Sequence, residues 1–468
     1  MIFLLCLAFL APIIAGYSVT YTLLPLQKPS FHYYVLKTTL TLGVGCGITS
    51  CSYFLILSLF GPAKIYLVMN DVISGLAFIA LFLYFFRFRE KLSYPAISED
   101  ISTNGKVQQI LTLGFIAALI CSIGNAILRS SMLPHGSWDA WTIWNLRARF
   151  LYRGGSHWTD TFSTFLAPHH PDYPLLIPAQ IARFWQFIGK ETQVVPAIIA
   201  ICFVYSTAGL LVSAIFMLRS RSQGLLAGLV LLGTPYYLII GISQLADIPL
   251  GFFILATLVL ISFQDRMSGS PGISLLAGIM AGFACWTKNE GLLFLLTVII
   301  ARLAIIFFDA DRKNKVGQMT CFVAGIAPIL LILLYYKVHF APSNDIFAGQ
   351  EIQTVIGRLM DLSRYVQITK ALLVFASQTI PVASLLIIYP FYAGIQLENN
   401  SKKAVITLLI ILFLMCSGYF AIYVISPYNL GWHLETSLPR LLMQLWPSVI
   451  FIYFLMVNTP EEMVSKQE

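Results

Sequence analysis

The chain has 468 residues, of which 58% are hydrophobic and only 11% are charged. Soluble domains carry about 25% charged residues, so this chain has less than half of the charged surface that a water-soluble fold of its size needs. The net charge of +8 is spread over the loops between apolar runs. That distribution favours a membrane-topology signal over a nucleic-acid surface, and no nucleic-acid partner is expected.

The apolar residues form runs of about 18–25 residues, the length at which a helix crosses the roughly 30 Å hydrocarbon core. An isolated strand would leave backbone groups unpaired in lipid. The sequence therefore predicts an all-α polytopic membrane protein with about thirteen transmembrane helices. The predicted spans lie near residues 2–25, 36–60, 65–86, 109–129, 193–218, 224–242, 247–264, 272–287, 290–308, 319–337, 369–393, 404–425 and 440–457.

Lysine and arginine are unevenly divided between the two sets of short loops, and the poorer set carries only Lys64, Lys288 and Arg440. The positive-inside rule makes the richer set cytoplasmic, which predicts an outer N-terminus and a cytoplasmic C-terminus. The lack of extended loops of the eukaryotic type favours a bacterial inner membrane. The longer outer loops are 130–192, 338–368 and 426–440. The richer set consists of Lys28, Lys37, Arg87, Arg89, Lys91, Lys106, Arg219, Arg221, Arg266, Arg302, Arg312, Lys313, Lys315, Lys402, Lys403 and Lys466.

The first long outer loop contains two amphipathic patterns. Trp144 and Arg147 belong to one helical segment, and Phe184 and Trp185 lie along one side of a second segment that Pro178 opens. Tryptophan favours the depth of the lipid headgroups, and arginine favours their phosphates. We therefore predict two interfacial helices with arginines facing lipid. Such helices suit an enzyme whose substrate is itself a lipid.

Two carboxylates stand out on the predicted outer face. Asp139 follows Trp138 just after the fourth span, and Asp247 begins the seventh span after a very short loop. Desolvation near the lipid boundary raises a carboxyl pKa and suits the group to accept a proton. The alternative is that each aspartate caps the helix that follows it. A third aspartate, Asp71, lies inside the third span. We expect its side chain to form a hydrogen bond between packed helices.

Two cations also stand out on this face, which is poor in basic residues. Lys288 lies in a polar break between two apolar runs, and Arg440 lies immediately before the last span. Single cations at membrane depth need an anionic partner. A lipid phosphate is one candidate, which arginine binds through two parallel hydrogen bonds. The alternatives are pairing with Glu290 or Glu435, and extension of the side chain to the headgroups.

Five short segments resemble the GT-C superfamily of polyprenyl-phosphate-sugar glycosyltransferases, in particular the protein O-mannosyltransferases and the lipid A aminoarabinose transferase. The resemblance covers about residues 109–308, with a weaker match near the C-terminus. The segments are Trp138-Asp139, His169-His170-Pro171-Asp172-Tyr173-Pro174-Leu175-Leu176, Ala246-Asp247-Ile248-Pro249-Leu250, Thr287-Lys288-Asn289-Glu290-Gly291, and the stretch from Trp432-His433 to Arg440.

The resemblance implies an inverting glycosyltransferase that moves a sugar from a polyprenyl-phosphate carrier to an acceptor hydroxyl on the extracytoplasmic face. It assigns Asp139 as the catalytic base and Asp247 as a second acidic position, with Lys288 and Arg440 at the carrier phosphate. It divides the chain into an N-terminal three-span addition (1–108), a GT-C-like core (109–318) and a C-terminal transmembrane region (319–468). Residues expected to bind donor or acceptor are Trp138, His170, Asp172, Tyr173, Glu290 and His433.

The acceptor and the need for a metal stay open at this point. Protein mannosyltransferases have glutamate after the catalytic aspartate, whereas Ala140 follows Asp139 here. This difference argues against a protein acceptor and favours a lipid or a glycan as the acceptor. No cofactor is expected. A divalent metal site is conceivable in the first long loop, but its residues lack the usual ligand spacing, and loop packing is the alternative. Those residues are His157, Asp160, His169, His170 and Asp172.

Two other functions compete with this prediction. A transporter predicts broken spans at corresponding places in two repeated halves, with charge at mid-membrane. The sequence shows no such repeat, and its notable charges gather on one predicted face. An O-antigen ligase or a polymerase that uses a lipid-diphosphate glycan also has arginine-rich outer loops, and the arginines of loop 130–192 leave that alternative open.

Overall fold

The protein was analysed as a computed structural model, which describes residues 2–24, 30–88, 105–266, 270–308, 311–378, 380–395, 399–460 and 462. Within these ranges the fold is helical, with one isolated bridge between Ile395 and Val457. The helices are α1 Ile2–Ala8, α2 Leu10–Leu23, α3 Phe31–Phe60, α4 Lys64–Phe88, α5 Gly105–Met132, α6 Asn145–Arg153, α7 Leu176–Ile188, α8 Val194–Leu218, α9 Arg221–Leu232, α10 Pro235–Ile242, α11 Asp247–Arg266, α12 Pro271–Thr287, α13 Glu290–Phe308, α14 Arg312–His339, α15 Ile352–Met360, α16 Leu362–Gln378, α17 Ile380–Ala393, α18 Asn399–Ile425 and α19 Leu430–Met456. A π-helical turn, Ala140–Trp144, and two 3₁₀ segments, Gly155–Phe162 and Thr164–His169, complete the long loop.

Ten helices in the described ranges are long and apolar enough to cross a membrane, so the chain is an integral multi-pass membrane protein. The predicted count of thirteen is not confirmed. One predicted span, 224–242, is the pair α9 and α10, which are bent by 65° relative to each other. Two others correspond to shorter apolar helices, Pro271–Thr287 and Ser384–Ala393. Of the basic residues used for the topology prediction, Lys28, Arg89, Lys91 and Lys466 lie outside the described residues.

Helix α11 lies at the centre of the bundle, and its apolar residues are buried along the whole membrane-spanning length. It packs against α8, α12, α18 and α19. Gly251 permits a close approach to α19, because a Cβ at this position would lie 2.8 Å from the carbonyl oxygen of Gln444. The outer helices instead carry large exposed apolar side chains, which suits contact with lipid tails. Examples are Leu76, Ile120, Leu331 and Phe413.

The two helices of the long loop exist, but the expectation that their tryptophan and arginine side chains face lipid headgroups is wrong for Trp185 and Arg147. In α7, Phe184 and Trp185 are each 1% exposed, and Gln180 accepts a hydrogen bond from Thr49 on α3. In α6, Arg147 is 1% exposed and does not face lipid. Polar residues on both helices find partners inside the protein, so internal packing accounts for part of their amphipathic pattern.

The N-terminal helices are tied to α7 by a buried ion pair. Asp71 on α4 lies 2.8 Å from Arg183, whose guanidinium also donates to the carbonyl of Ala8. Asp71 therefore does bond across packed helices, and its partner is a cation. On α3, Ser50 accepts a hydrogen bond from the indole N–H of Trp286 on α12, at 3.0 Å. The N-terminal helices and the predicted core thus share buried polar contacts.

We expect Asp71→Ala to destabilise the fold by about 3–5 kcal/mol, because it leaves the Arg183 cation buried without its counter-ion. The matched control is Glu191→Ala, which removes the partly exposed partner of Arg149, 2.6 Å away. That change should cost about 0–1 kcal/mol. Denaturant titrations in detergent, followed by tryptophan fluorescence, measure both. Equal losses for the two variants would contradict the assignment of Arg183 and Asp71 as a structural pair.

Candidate active site

Five charged residues meet at one end of the bundle and form what we call the ion network: Asp139, Asp247, Lys288, Glu290 and Arg440. Asp247 is fully buried and central, 3.1 Å from the Lys288 ammonium and 3.0 Å from the Arg440 guanidinium. Arg440 uses its remaining terminal nitrogen, Nη1, to bind Asp139. Lys288 also lies 2.7 Å from Glu290. Three carboxylates therefore face two cations, so the ion network has one negative charge in excess.

Neither aspartate acts as a helix cap. Asp139 precedes the π-helical turn, but its side chain makes no capping hydrogen bond. The carboxylate of Asp247 binds side chains of other helices, including the Gln444 amide at 2.6 Å. The alternative pairing of Lys288 with Glu290 is present. The alternative pairing of Arg440 with Glu435 is absent from the described residues, since Glu435 is exposed and Arg440 binds Asp139 and Asp247. The charges satisfy one another within the protein.

The short loop before α11 fixes Asp139 beside Asp247. Ser137 donates its backbone N–H to the carbonyl of Ser243, and the Gln244 side chain binds both Asn145 and the Pro134 carbonyl. Gly136 is required at this junction. Its φ is +73°, and a Cβ there would lie 2.6 Å from the Ser243 carbonyl oxygen. The loop preceding Asp139 is therefore held tightly against the loop preceding Asp247.

The break between α12 and α13 presents Lys288 to the ion network. Lys288 has extended backbone angles and is 4% exposed. Burial alone would lower the pKa of Lys288, but the adjacent Asp247 and Glu290 outweigh that effect and raise the pKa above its ordinary value. Lys288 therefore stays cationic, since a charged partner favours the charged form.

A second group of side chains adjoins the ion network. His170, Asp172 and Asp345, which we call the His170 cluster, place one ligand atom each within 4.8 Å of one another. Asn289, the neighbour of Lys288, donates to Asp172 at 2.7 Å and so joins the two groups. Tyr428 donates to Asp345. Burial alone would raise the pKa of Asp345, but the neighbouring His170 imidazole and the hydrogen bond from Tyr428 outweigh it and lower the pKa below its ordinary value.

Tyr173 packs between the two groups. Its ring stacks on His170 with centroids 4.8 Å apart, and the Lys288 ammonium lies 5.7 Å from its centroid. Burial, then the nearby carboxylates Glu290 and Asp172, raise the pKa of Tyr173 well above its usual value. The phenol is therefore neutral and available as a hydrogen-bond donor at neutral pH.

Arg147 positions the segment that carries the His170 cluster and Tyr173. Its guanidinium donates to the Tyr173 carbonyl at 2.6 Å and lies 3.0 Å from the Tyr336 hydroxyl. This role replaces the lipid contact expected for Arg147. A buried arginine that binds backbone carbonyls fixes the local chain direction, because each lost hydrogen bond would leave a buried polar group unsatisfied.

The structure brings the sequence-predicted site residues to one region. Asp139, Asp247, Lys288, Glu290 and Arg440 form the ion network, and His170, Asp172 and Tyr173 adjoin it. His433 lies on the same side, where its ring bonds Ser426 at 2.8 Å and packs near Tyr428. Trp138, next to Asp139, is 67% exposed and packs against Trp141. Its role in binding a substrate stays a prediction.

Sequence reasoning missed several polar partners at this site. Asn344 donates to Asp172 at 2.9 Å, and Lys337 donates to the backbone carbonyl of Asp172 at 2.6 Å. Gln444 supports Asp247 one turn after Arg440, and Asp345 completes the His170 cluster. Only Gln444 gave a usable signal, as an amide inside an apolar span, four residues after Arg440 and on the same helix face.

No protein-family model, curated protein or solved structure matches this chain. The chemistry of the site therefore has to be argued from its own atoms. It offers a partly exposed carboxylate, Asp139, bound to Arg440, and a buried lysine, Lys288, that shares Asp247 with Arg440. Such a set can hold an anion on the cations and take a proton on the carboxylate.

Proposed function

We propose that the protein is an inverting glycosyltransferase that moves a sugar from a polyprenyl-phosphate carrier to an acceptor hydroxyl. One observation carries the proposal: Arg440 is anchored by buried Asp247 while its Nη1 atom holds the partly exposed Asp139. A single cation thus links a candidate phosphate site to a candidate base. The position of these charges at the end of membrane helices supports a substrate that enters from the bilayer.

The donor phosphate competes with Asp139 for Arg440. The ion network already has one negative charge in excess, so adding a phosphate diester without rearrangement is electrostatically unfavourable. Asp247 is fully buried and holds Arg440 through two nitrogens, whereas Asp139 is 28% exposed and makes one contact with it. Asp139 is therefore the carboxylate that gives way. Donor binding releases it toward the acceptor.

The released Asp139 then acts as a general base. It takes the proton of the acceptor hydroxyl as the oxygen attacks the anomeric carbon, and the bond from that carbon to the phosphate oxygen breaks. The bonding electrons leave on the phosphate, which Arg440 and Lys288 neutralise. A positioned base contributes about 10²–10⁴-fold to such a step. One displacement completes the transfer with inversion, so no second carboxylate nucleophile is needed.

Reaction at the extracytoplasmic face of a bacterial inner membrane is part of the same proposal. The basic short loops support a cytoplasmic location for the opposite face. Membrane lipids surround the protein, and the acceptor is a lipid, a glycan or a protein. Ala140 after Asp139 favours a lipid or a glycan.

The experiment compares membrane glycolipids and surface polymers by mass spectrometry in cells that lack the protein. Complementation uses the wild type or Asp139→Asn. We expect one glycan to lose a sugar, its polyprenyl-phosphate-linked precursor to accumulate, and only the wild type to restore the glycan. Unchanged glycans in the deletion strain would contradict the proposal. In reconstituted vesicles, movement of the donor across the bilayer without any loss of its sugar would instead indicate a transporter.

A further inference from the structure

We propose that the His170 cluster binds a divalent cation of the Mn²⁺ type. The ligand atoms come from two distant parts of the chain: His170 and Asp172 precede α7, and Asp345 follows α14. The inference deepens the proposed function and rests on it for its role in catalysis, but the binding of the metal is independent of any glycosyl donor. One imidazole with two carboxylates is a mixed donor set that Mn²⁺ accepts.

The geometry of His170 points to a ligand. Its Nδ1 atom is buried and makes no aligned hydrogen bond, although it lies only 3.2 Å from a carboxylate oxygen of Asp345. Two ligand atoms that share one metal at about 2.1 Å lie roughly 3.0–3.4 Å apart. The separation of these two atoms therefore fits a shared cation, and the third ligand oxygen, from Asp172, lies within 4.8 Å.

Neighbouring side chains donate hydrogen bonds to the carboxylates of the His170 cluster, as they do to the ligands of known metal sites. Asn289 and Asn344 both donate to one oxygen of Asp172, at 2.7 and 2.9 Å. Tyr428 donates to Asp345. Hydrogen bonds of this kind orient ligating carboxylates and are a regular part of metal centres. Asp172 is also 2% exposed, so its position is fixed before a cation binds.

Charge explains what the cation would do beside the ion network. The ion network has one negative charge in excess. The His170 cluster adds two carboxylates, and two cations lie near it: Lys337, whose ammonium is 4.0 Å from Asp172, and Arg147, which binds the Tyr173 carbonyl. An anionic donor would enter a region that is already negative. A divalent cation in the His170 cluster offsets this charge. Lys337 also repels the cation, so we expect binding weaker than that of a closed structural site.

The test titrates Mn²⁺ into the purified full-length protein in detergent, after chelator treatment and with no donor present. Loss of the free-Mn²⁺ electron paramagnetic resonance signal reports binding. We expect one Mn²⁺ per chain in the wild type and at least about a 10-fold loss of affinity in His170→Ala and Asp345→Asn. The control is His157→Ala, which alters an exposed histidine 3.5 Å from Asp160 in the same loop and should bind as the wild type.

Absence of Mn²⁺ binding by the wild type at millimolar concentration would overturn the metal proposal, as would unchanged affinity in Asp345→Asn. Thermal unfolding of each variant checks that it is folded, and Asp345→Asn is chosen because its side chain is partly exposed. Asp139→Asn should bind Mn²⁺ normally.

If Mn²⁺ binds but no glycan changes in the deletion strain, the transferase proposal fails and the metal site stands. If glycans change but Mn²⁺ does not bind, the metal proposal fails and the transferase proposal stands.

Discussion

Replacing Asp139 with asparagine is expected to lower glycosyl transfer by about 10²–10⁴-fold, the contribution of a positioned general base. Asparagine has nearly the same shape and can still accept a hydrogen bond from Arg440, but it cannot take the acceptor proton. The site should therefore remain folded and continue to bind the donor. Initial rates in proteoliposomes that contain a polyprenyl-phosphate sugar and its acceptor measure the effect.

The matched control for this prediction is Asp160→Asn in the same loop. Asp160 is more than half exposed and lies 3.5 Å from His157. Its replacement should leave the transfer rate unchanged. The base assignment would be wrong if Asp139→Asn retained the wild-type rate. It would also be wrong if Asp160→Asn lowered the rate as strongly, since the loss would then come from the loop and not from a specific proton acceptor.

Replacing Arg440 with glutamine should impair both stability and transfer. The change leaves three carboxylates to share Lys288, and breaking a buried ion pair costs about 3–5 kcal/mol. It also removes the proposed contact with the donor phosphate. Arg440→Lys keeps the charge but loses the planar fork that reaches Asp139 and Asp247 together. We expect Arg440→Lys to be the more stable variant, with transfer still strongly reduced.

A double variant separates the two effects. Adding Asp247→Asn to Arg440→Gln removes one charge of each sign and returns the ion network to its original excess of one negative charge. The double variant should lose less stability than the sum of the two single variants, because residues in contact are energetically coupled. Its transfer rate should stay low. Additive stability losses in denaturant titrations would show that the Arg440–Asp247 contact contributes little to the fold.

The sequence was sufficient for the membrane class and for most of the ion network. Charged residues are rare in apolar segments and stand out where they occur, which is how Asp247, Lys288 and Arg440 were found. Their mutual pairing was not predictable. Asp139 and Arg440 are 301 positions apart, and the order of helices along a chain does not state which ends meet. The catalytic roles of these residues stay predictions.

Arg147 and Trp185 show why the surroundings of individual side chains in the long loop could not be predicted. A pattern of tryptophan and arginine at helical spacing fits a helix on a lipid surface and also a helix packed inside a protein. The choice depends on partners elsewhere in the chain, here the Tyr173 carbonyl for Arg147 and the Thr192 carbonyl for the Trp185 indole. Asp345 was missed for the same reason, since it becomes distinctive only next to His170.

The contacts of α3 bear on how small an active fragment can be. Trp286, two residues before Lys288, donates its indole N–H to Ser50 on α3. Thr49, also on α3, donates a hydrogen bond to Gln180 on α7. A protein shortened to begin at residue 109 would retain every residue of the ion network and still lose the surfaces on which α7 and α12 sit. Deletion of α3 should therefore abolish the proposed transfer from a distance, through a displaced Lys288.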